Sequence, residues 1–188
     1  LMLLRGGRPL HWLADWNFRL LPGVGWLYDR AGAITVARKP ARPRFLTALR
    51  GRWRRGRSAL AEAQGRLLAG ASVALFPEGK VNRDASALLP GLRGAARLSL
   101  ETRVPVVPVG IRFADATPLG IIDSASPLDI QVGAALSPAE GAVTTSAVAG
   151  WHAELMRALA PLSGKSWPYG ATAPQFEGFG PDIGPGAS

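Results

Sequence analysis

The stretch from Ser58 to Phe76 limits the possible folds more than any other part of the sequence. Within Ser58 to Ala69, Leu60, Ala63, Leu67 and Leu68 recur on one helical face. Gly70 supplies a C-terminal stop, and Ser72-Val73-Ala74-Leu75-Phe76 follows at once as a buried strand. A helix handed directly to a strand is the signature of an α/β layer arrangement. The same alternation recurs on both sides. Residues 10 to 15 read as a short buried strand, Trp16 to Leu27 as two helical pieces broken at Pro22-Gly23, and Gly32 to Arg38 as a strand that delivers Arg38 at its C-terminal edge. Downstream come a loop (Pro77 to Pro90), a small-residue helix (Gly91 to Glu101), an apolar strand (Val104 to Phe113), a strand at 128 to 133 and an amphipathic helix (Ser146 to Leu159). Pro105 and Pro108 each remove a ladder donor, which points to an edge or a bulge. The expected fold is α/β, with a mixed, mostly parallel sheet flanked by helices.

The 188 residues, 47% of them hydrophobic, suffice for one core, and the expectation is a single domain over 1–163. From Gly164 onward six glycines and four prolines in 25 residues predict an extended or disordered tail, 164–188. There is no cysteine, which excludes disulfides, thiolate metal sites and a thiol nucleophile. No cluster of His, Asp or Glu has ligand spacing, so neither metal nor tightly bound cofactor is implied. No apolar run approaches the roughly 18 to 20 residues that span a bilayer. The expectation is a soluble or peripheral chain. Its opening Leu1-Met2-Leu3-Leu4 reads as the end of a helix already under way.

Charge narrows the partners. Lys and Arg number 22 against 13 Asp and Glu, a formal +9, which attracts polyanions. Nine basic residues and no acidic one lie between Arg38 and Arg57. Only Phe45 and Trp53 interleave with them, too few aromatics for a reader of nucleic acid, so an anionic membrane surface is the expected partner. A catalytically inactive or non-enzymatic binder of anionic lipid or nucleic acid through this run is the rival reading. Trp16, Trp26 and Trp53 border basic or broken segments and suit a membrane interface, whereas Trp12 reads as core. His11 reads as a packed histidine and His152 as interfacial or solvent-facing.

The segment most able to carry chemistry is Leu75-Phe76-Pro77-Glu78-Gly79-Lys80. An apolar strand ends at a proline, and a carboxylate and a sterically open backbone follow at the sheet edge where open α/β folds place ligands. Gly79 lets backbone N–H groups approach a phosphate, and Lys80 adds charge. On turn chemistry alone the same residues also make an ordinary Pro-Glu-Gly turn.

Phe76-Pro77-Glu78-Gly79 resembles the signature of the glycerolipid acyltransferases, typified by 1-acylglycerol-3-phosphate acyltransferase. Gly32-x-Ile34-x-Val36-x-Arg38 resembles the family block whose arginine contacts the acceptor phosphate. Gly91 to Leu100 with Val104-Pro105-Val106-Val107-Pro108-Val109 resembles the later helix and the Val-Pro block that helps line the donor site. The resemblance runs in order over Leu10 to Phe113. It implies a glycerol-3-phosphate acyltransferase-like fold, and transfer of a fatty-acyl group from acyl-CoA or acyl-carrier protein to a lysophospholipid or glycerol-phosphate acceptor in phospholipid biosynthesis. It also implies a location at the cytoplasmic face of a membrane, and substrate binding by Arg38, Phe76, Pro77, Glu78, Gly79 and Lys80.

Two departures qualify it. The best-known branch continues Glu-Gly with Thr-Arg-Ser, whereas here Val81 holds the arginine position, and either Lys80 or Arg83 would have to replace it. The family's His-x-x-x-x-Asp, whose histidine takes the acceptor's hydroxyl proton while the aspartate holds its tautomer, does not occur. His11 and Asp15 are separated by three residues rather than four. The resemblance therefore places the catalytic pair upstream of Leu1.

Overall fold

A computed structural model of the chain describes residues 10–37, 58–113 and 127–171. They fall into two compact units divided between Phe76 and Pro77. The division lies inside the stretch 1–163 read as one domain, and it cuts the Phe76-Pro77-Glu78-Gly79 motif.

The first unit is a three-stranded parallel sheet in the order β2-β1-β3, formed by β1 (Leu10–Asp15), β2 (Ile34–Val36) and β3 (Ser72–Ala74). β1 is central, pairing Leu13 with Ile34 on one side and His11 with Val73 on the other. After β1 the chain turns through a 3-10 helix (Trp16–Leu20), whose Asn17 amide is capped by the Asp15 side chain, and then α1 (Val24–Arg30). The break at Pro22-Gly23 thus falls where the sequence indicates. Helix α2 (Ala59–Leu68) starts at Ser58, whose hydroxyl accepts from the Ala61 amide, and packs across all three strands. Ala63 is its fully buried residue, and Leu68 stays exposed.

The tryptophans invert the expectation. Trp16, assigned to an interface, is fully buried at the turn out of β1, while Trp12, assigned to the core, stands on an outer face of β1 against Phe76, with ring centroids 5.9 Å apart. Strand alternation explains this: His11 points inward, so Trp12 must point the other way. Trp26 is exposed as expected, with the Arg30 guanidinium 5.2 Å from its ring centroid.

The second unit holds α3 (Gly94–Thr102), an antiparallel pair β4 (Val109–Phe113) and β5 (Leu128–Val132), and α4 (Thr145–Ser163). The mixed character of the fold therefore takes the form of a parallel sheet and a separate antiparallel ribbon. The strand expected from Val104 begins only at Val109. Pro105 and Pro108 break the ladder, leaving Val106 in an isolated two-bond bridge with Leu136. Helix α4 packs on α3 and on β4. Ala96 and Leu100 meet Trp151 and Leu155, while Met156 and Ala160 meet Leu88 and Trp167. No helix among the described residues is long and apolar enough to cross a membrane.

The segment from Gly164, expected as a tail, lacks regular structure through 165–171 but is not loose. Trp167 is buried in the core, and Tyr169 packs against it. Two aromatic side chains supply enough apolar surface to anchor residues 165–171, the described part of this segment.

Candidate functional site

The three parallel strands bring their C-terminal ends, Asp15, Val36 and Ala74, to one edge of the sheet. Leu75 and Phe76 leave β3 there, and Phe76 is 61% exposed. The next described stretch, Pro77 to Leu92, is a long loop ordered by its own side chains. Glu78 is its centre. One carboxylate oxygen, Oε1, accepts from Asn82 Nδ2 at 2.8 Å and from the Leu89 amide at 2.6 Å, and Asn82 Nδ2 also donates to the Ala87 carbonyl at 2.8 Å. Asn82 Oδ1 accepts from the Asp84 amide, and Asp84 in turn accepts from the Ser86 hydroxyl and from the Ser86 and Ala87 amides. The Ser86 hydroxyl, followed by these amides, holds the Asp84 carboxyl below its usual pKa.

Gly79 is confined twice over. Its φ of +66° is a region that side chains other than glycine rarely enter, and a Cβ there would lie 2.2 Å from Leu92 Cδ1. The loop closes where the Leu92 amide donates to the Pro77 carbonyl at 2.7 Å. From the helix side His152, expected at the surface, is buried, and its Nε2 donates to the Pro90 carbonyl at 2.8 Å. Burial lowers its pKa, with the carbonyl contact opposing the shift, so the neutral imidazole is favoured.

The structure thus places Pro77, Glu78, Gly79 and Lys80 together on one ordered loop, with Lys80 exposed. The Glu78 carboxylate is directed into the loop rather than offered to a ligand, which accords with electrostatics, since an anion placed against a phosphate would repel it. Arg38 and the basic run to Arg57 lie outside the described residues.

His11 is buried and already engaged. Its Nδ1 lies 2.8 Å from the Gly32 carbonyl, and Arg66 Nη1 lies 3.0 Å from Nδ1 and 3.2 Å from Nε2. The Arg66 guanidinium therefore lies against the ring, where a catalytic base would need open access to the acceptor hydroxyl. Asp15 sits four residues along the same strand, about 13 Å at ~3.3 Å per residue, and caps Asn17 instead. The two do not form a catalytic pair.

Sequence reasoning missed three participants: Asn82, His152 and Trp167. Asn82 and Asp84, two positions apart in a loop, carry a signal for side-chain turns. For His152 and Trp167 the only signal is their aromatic character.

Residues 1–112 match the family model described as Acyltransferase. Among solved structures the chain is similar to the crystal structure of the 1-acyl-sn-glycerophosphate (LPA) acyltransferase, PlsC, from Thermotoga maritima. The TM-score is 0.51 at 20% identity, over 78% of this chain and 54% of that one. At that identity the likeness is one of fold, and the chain spans about half the length of that protein. No curated protein matches the chain.

Proposed function

Since the chain belongs to the Acyltransferase family, we propose that its Glu78 to Gly91 loop receives the phosphorylated acceptor of a fatty-acyl transfer, a lysophospholipid or glycerol phosphate. The observation that carries this reading is the ordering of the loop around Glu78 and Gly79 within the family-matched residues. The exposed Gly79 backbone, held at positive φ, and the side chains of Lys80 and Arg83 offer donors and positive charge to a phosphate. The family resemblance assigns a role in acceptor-phosphate binding to Arg38 as well. Phe76 and Pro77 set where the loop leaves the sheet.

In the reaction the acceptor hydroxyl attacks the carbonyl carbon of an acyl thioester, from acyl-CoA or acyl-carrier protein. A C–O bond forms, the C–S bond breaks, the hydroxyl proton passes to a base and the departing thiolate is reprotonated. The base of the family is the histidine of His-x-x-x-x-Asp, and no such pair occurs in these 188 residues. What the residues present supply is acceptor binding. The basic run from Arg38 to Arg57 holds the chain at the anionic cytoplasmic face of a membrane, each charge near the surface contributing ~1 kcal/mol.

Calorimetric titration with glycerol 3-phosphate and with lysophosphatidate tests the site. Saturable binding that inorganic phosphate competes away and that Gly79→Ala or Lys80→Ala weakens is expected. Indifference of binding to both substitutions would remove the acceptor from this loop. Thioester consumption by the chain that His11→Ala abolishes, in a protein still folded, would restore His11 as the base against the geometry above. Equal affinity for neutral and anionic vesicles would refute the electrostatic account of membrane binding.

A further inference from the structure

The segment after α4 runs alongside the motif loop and is bonded to it at successive points. The Ser166 amide donates to the Ser86 carbonyl and the Leu88 amide to the Ser166 carbonyl, both at 2.8 Å, forming a parallel bridge centred on Ala87. Lys165 Nζ donates to the Asp84 carbonyl, and Trp167 Nε1 donates to the Leu89 carbonyl at 3.2 Å. The Trp167 ring is buried in the Leu88 and Met156 cluster and meets His152 edge-on, with centroids 6.0 Å apart.

Leu89 is the junction of these contacts. Its N–H donates to Glu78 and its carbonyl accepts from Trp167, so the residue is tethered from both sides. Holding the carbonyl fixes the Leu89–Pro90 peptide plane, which is joined through the Leu89 Cα to the plane that carries its N–H. Burial of an aromatic ring requires neither the indole bond nor the bridge. Ser166 is exposed, yet it contributes both ladder bonds, so the strap is fastened at a place that buries little. We infer that residues 165–169 are a positioning strap, with Trp167 as its positioning residue, which sets the geometry of the Glu78 to Gly91 loop and through it the acceptor affinity. The affinity part rests on the acceptor reading above; the coupling of strap to loop does not.

The test uses Trp167→Phe, which keeps a buried ring but deletes the indole donor, and Ser166→Pro, which deletes the exposed amide and hydroxyl donors to the Ser86 carbonyl without touching the core. Native-state amide exchange reads the loop, and titration with glycerol 3-phosphate reads the site. In both variants exchange at Leu89 and Leu92 should accelerate roughly 2- to 10-fold or somewhat more, as expected for loss of one hydrogen bond in Trp167→Phe and of the amide and hydroxyl bonds to Ser86 in Ser166→Pro, and the dissociation constant should rise by a similar factor. The amides of Leu98 and Leu100 in α3 should not change. Unchanged exchange at Leu89 and Leu92 would overturn the inference. So would an even rise that includes Leu98 and Leu100, because the strap would then be mere core. Local loosening with unaltered affinity would overturn the positioning role. A wild-type protein that binds no glycerol 3-phosphate would remove the acceptor reading, and exchange alone would then decide whether the strap governs the loop.

Discussion

Replacing Glu78 separates two roles that the family resemblance leaves merged, contact with the acceptor and organisation of the loop. Its Oε1 accepts from Asn82 and from the Leu89 amide at 2.8 and 2.6 Å. Hydrogen bonds to an ionised group contribute about 1.5–3 kcal/mol each, and partial exposure of Glu78 places both at the lower end. Glu78→Ala should therefore lower the local opening free energy of the loop by about 3 kcal/mol, accelerating amide exchange at Leu89 roughly 100-fold. Glu78→Gln keeps an oxygen at the same reach, and its neutral bonds are about half as strong, so the loss should be ~1.5 kcal/mol, or about tenfold. Acceptor affinity should follow the same order, with Gln between Glu and Ala. If Gln is as damaging as Ala to affinity while Leu89 remains protected, the charge itself is what the ligand senses, and the organising role is refuted.

Gly110 in β4 abuts the end of α4 so closely that a Cβ would lie 2.2 Å from the Leu162 carbonyl carbon and 2.5 Å from the Ser163 amide nitrogen. No rotamer can relieve a backbone clash, so Gly110→Ala should destabilise by about 3 kcal/mol, the upper end for overpacking, measured by denaturant titration. Gly150→Ala, on an exposed part of α4 with open space around it, should instead stabilise by up to about 1 kcal/mol. His152 has its pKa lowered from 6.5 in the folded chain, so the unfolded chain binds more protons on falling pH. Its contribution to stability is present above pH 6.5 and lost as pH falls from there through the lowered folded value. The slope within that window is at most about 1.4 kcal/mol per pH unit, and His152→Gln should flatten it.

Elements marked by local chemistry were legible in the sequence. Ser58 before an apolar face and Gly70 after it bracket α2, and Pro22-Gly23 separates the 3-10 helix from α1. Where hydrophobicity alone was the guide, boundaries slipped. The run from Val104 looks continuous, but two prolines cut it, and α4 continues past Leu159 through Pro161 to Ser163 although that proline removes one donor from its last turn. The position of the motif at the end of β3 could be read, since a proline must end that strand. The inward turn of Glu78 could not, because it depends on Asn82 and Leu89 arriving by way of a loop with no periodicity. Trp167 was hidden by its neighbours: glycine and proline dominate the composition there, while one indole determines the packing.

The bridge that fastens the motif loop also has a consequence for the order of folding. Ser86 and Ser166 are 80 positions apart along the chain. Contacts of such long sequence separation bear a large loop-closure cost and form late. At about 5–20 residues per second, a ribosome that has made the motif needs roughly 4 to 16 seconds to reach the strap. During that interval the Leu89 carbonyl and the Ser86 carbonyl lack their native donors. The loop that the family signature marks is consequently among the last parts of the second unit to acquire its native bonds, well after β3 has emerged.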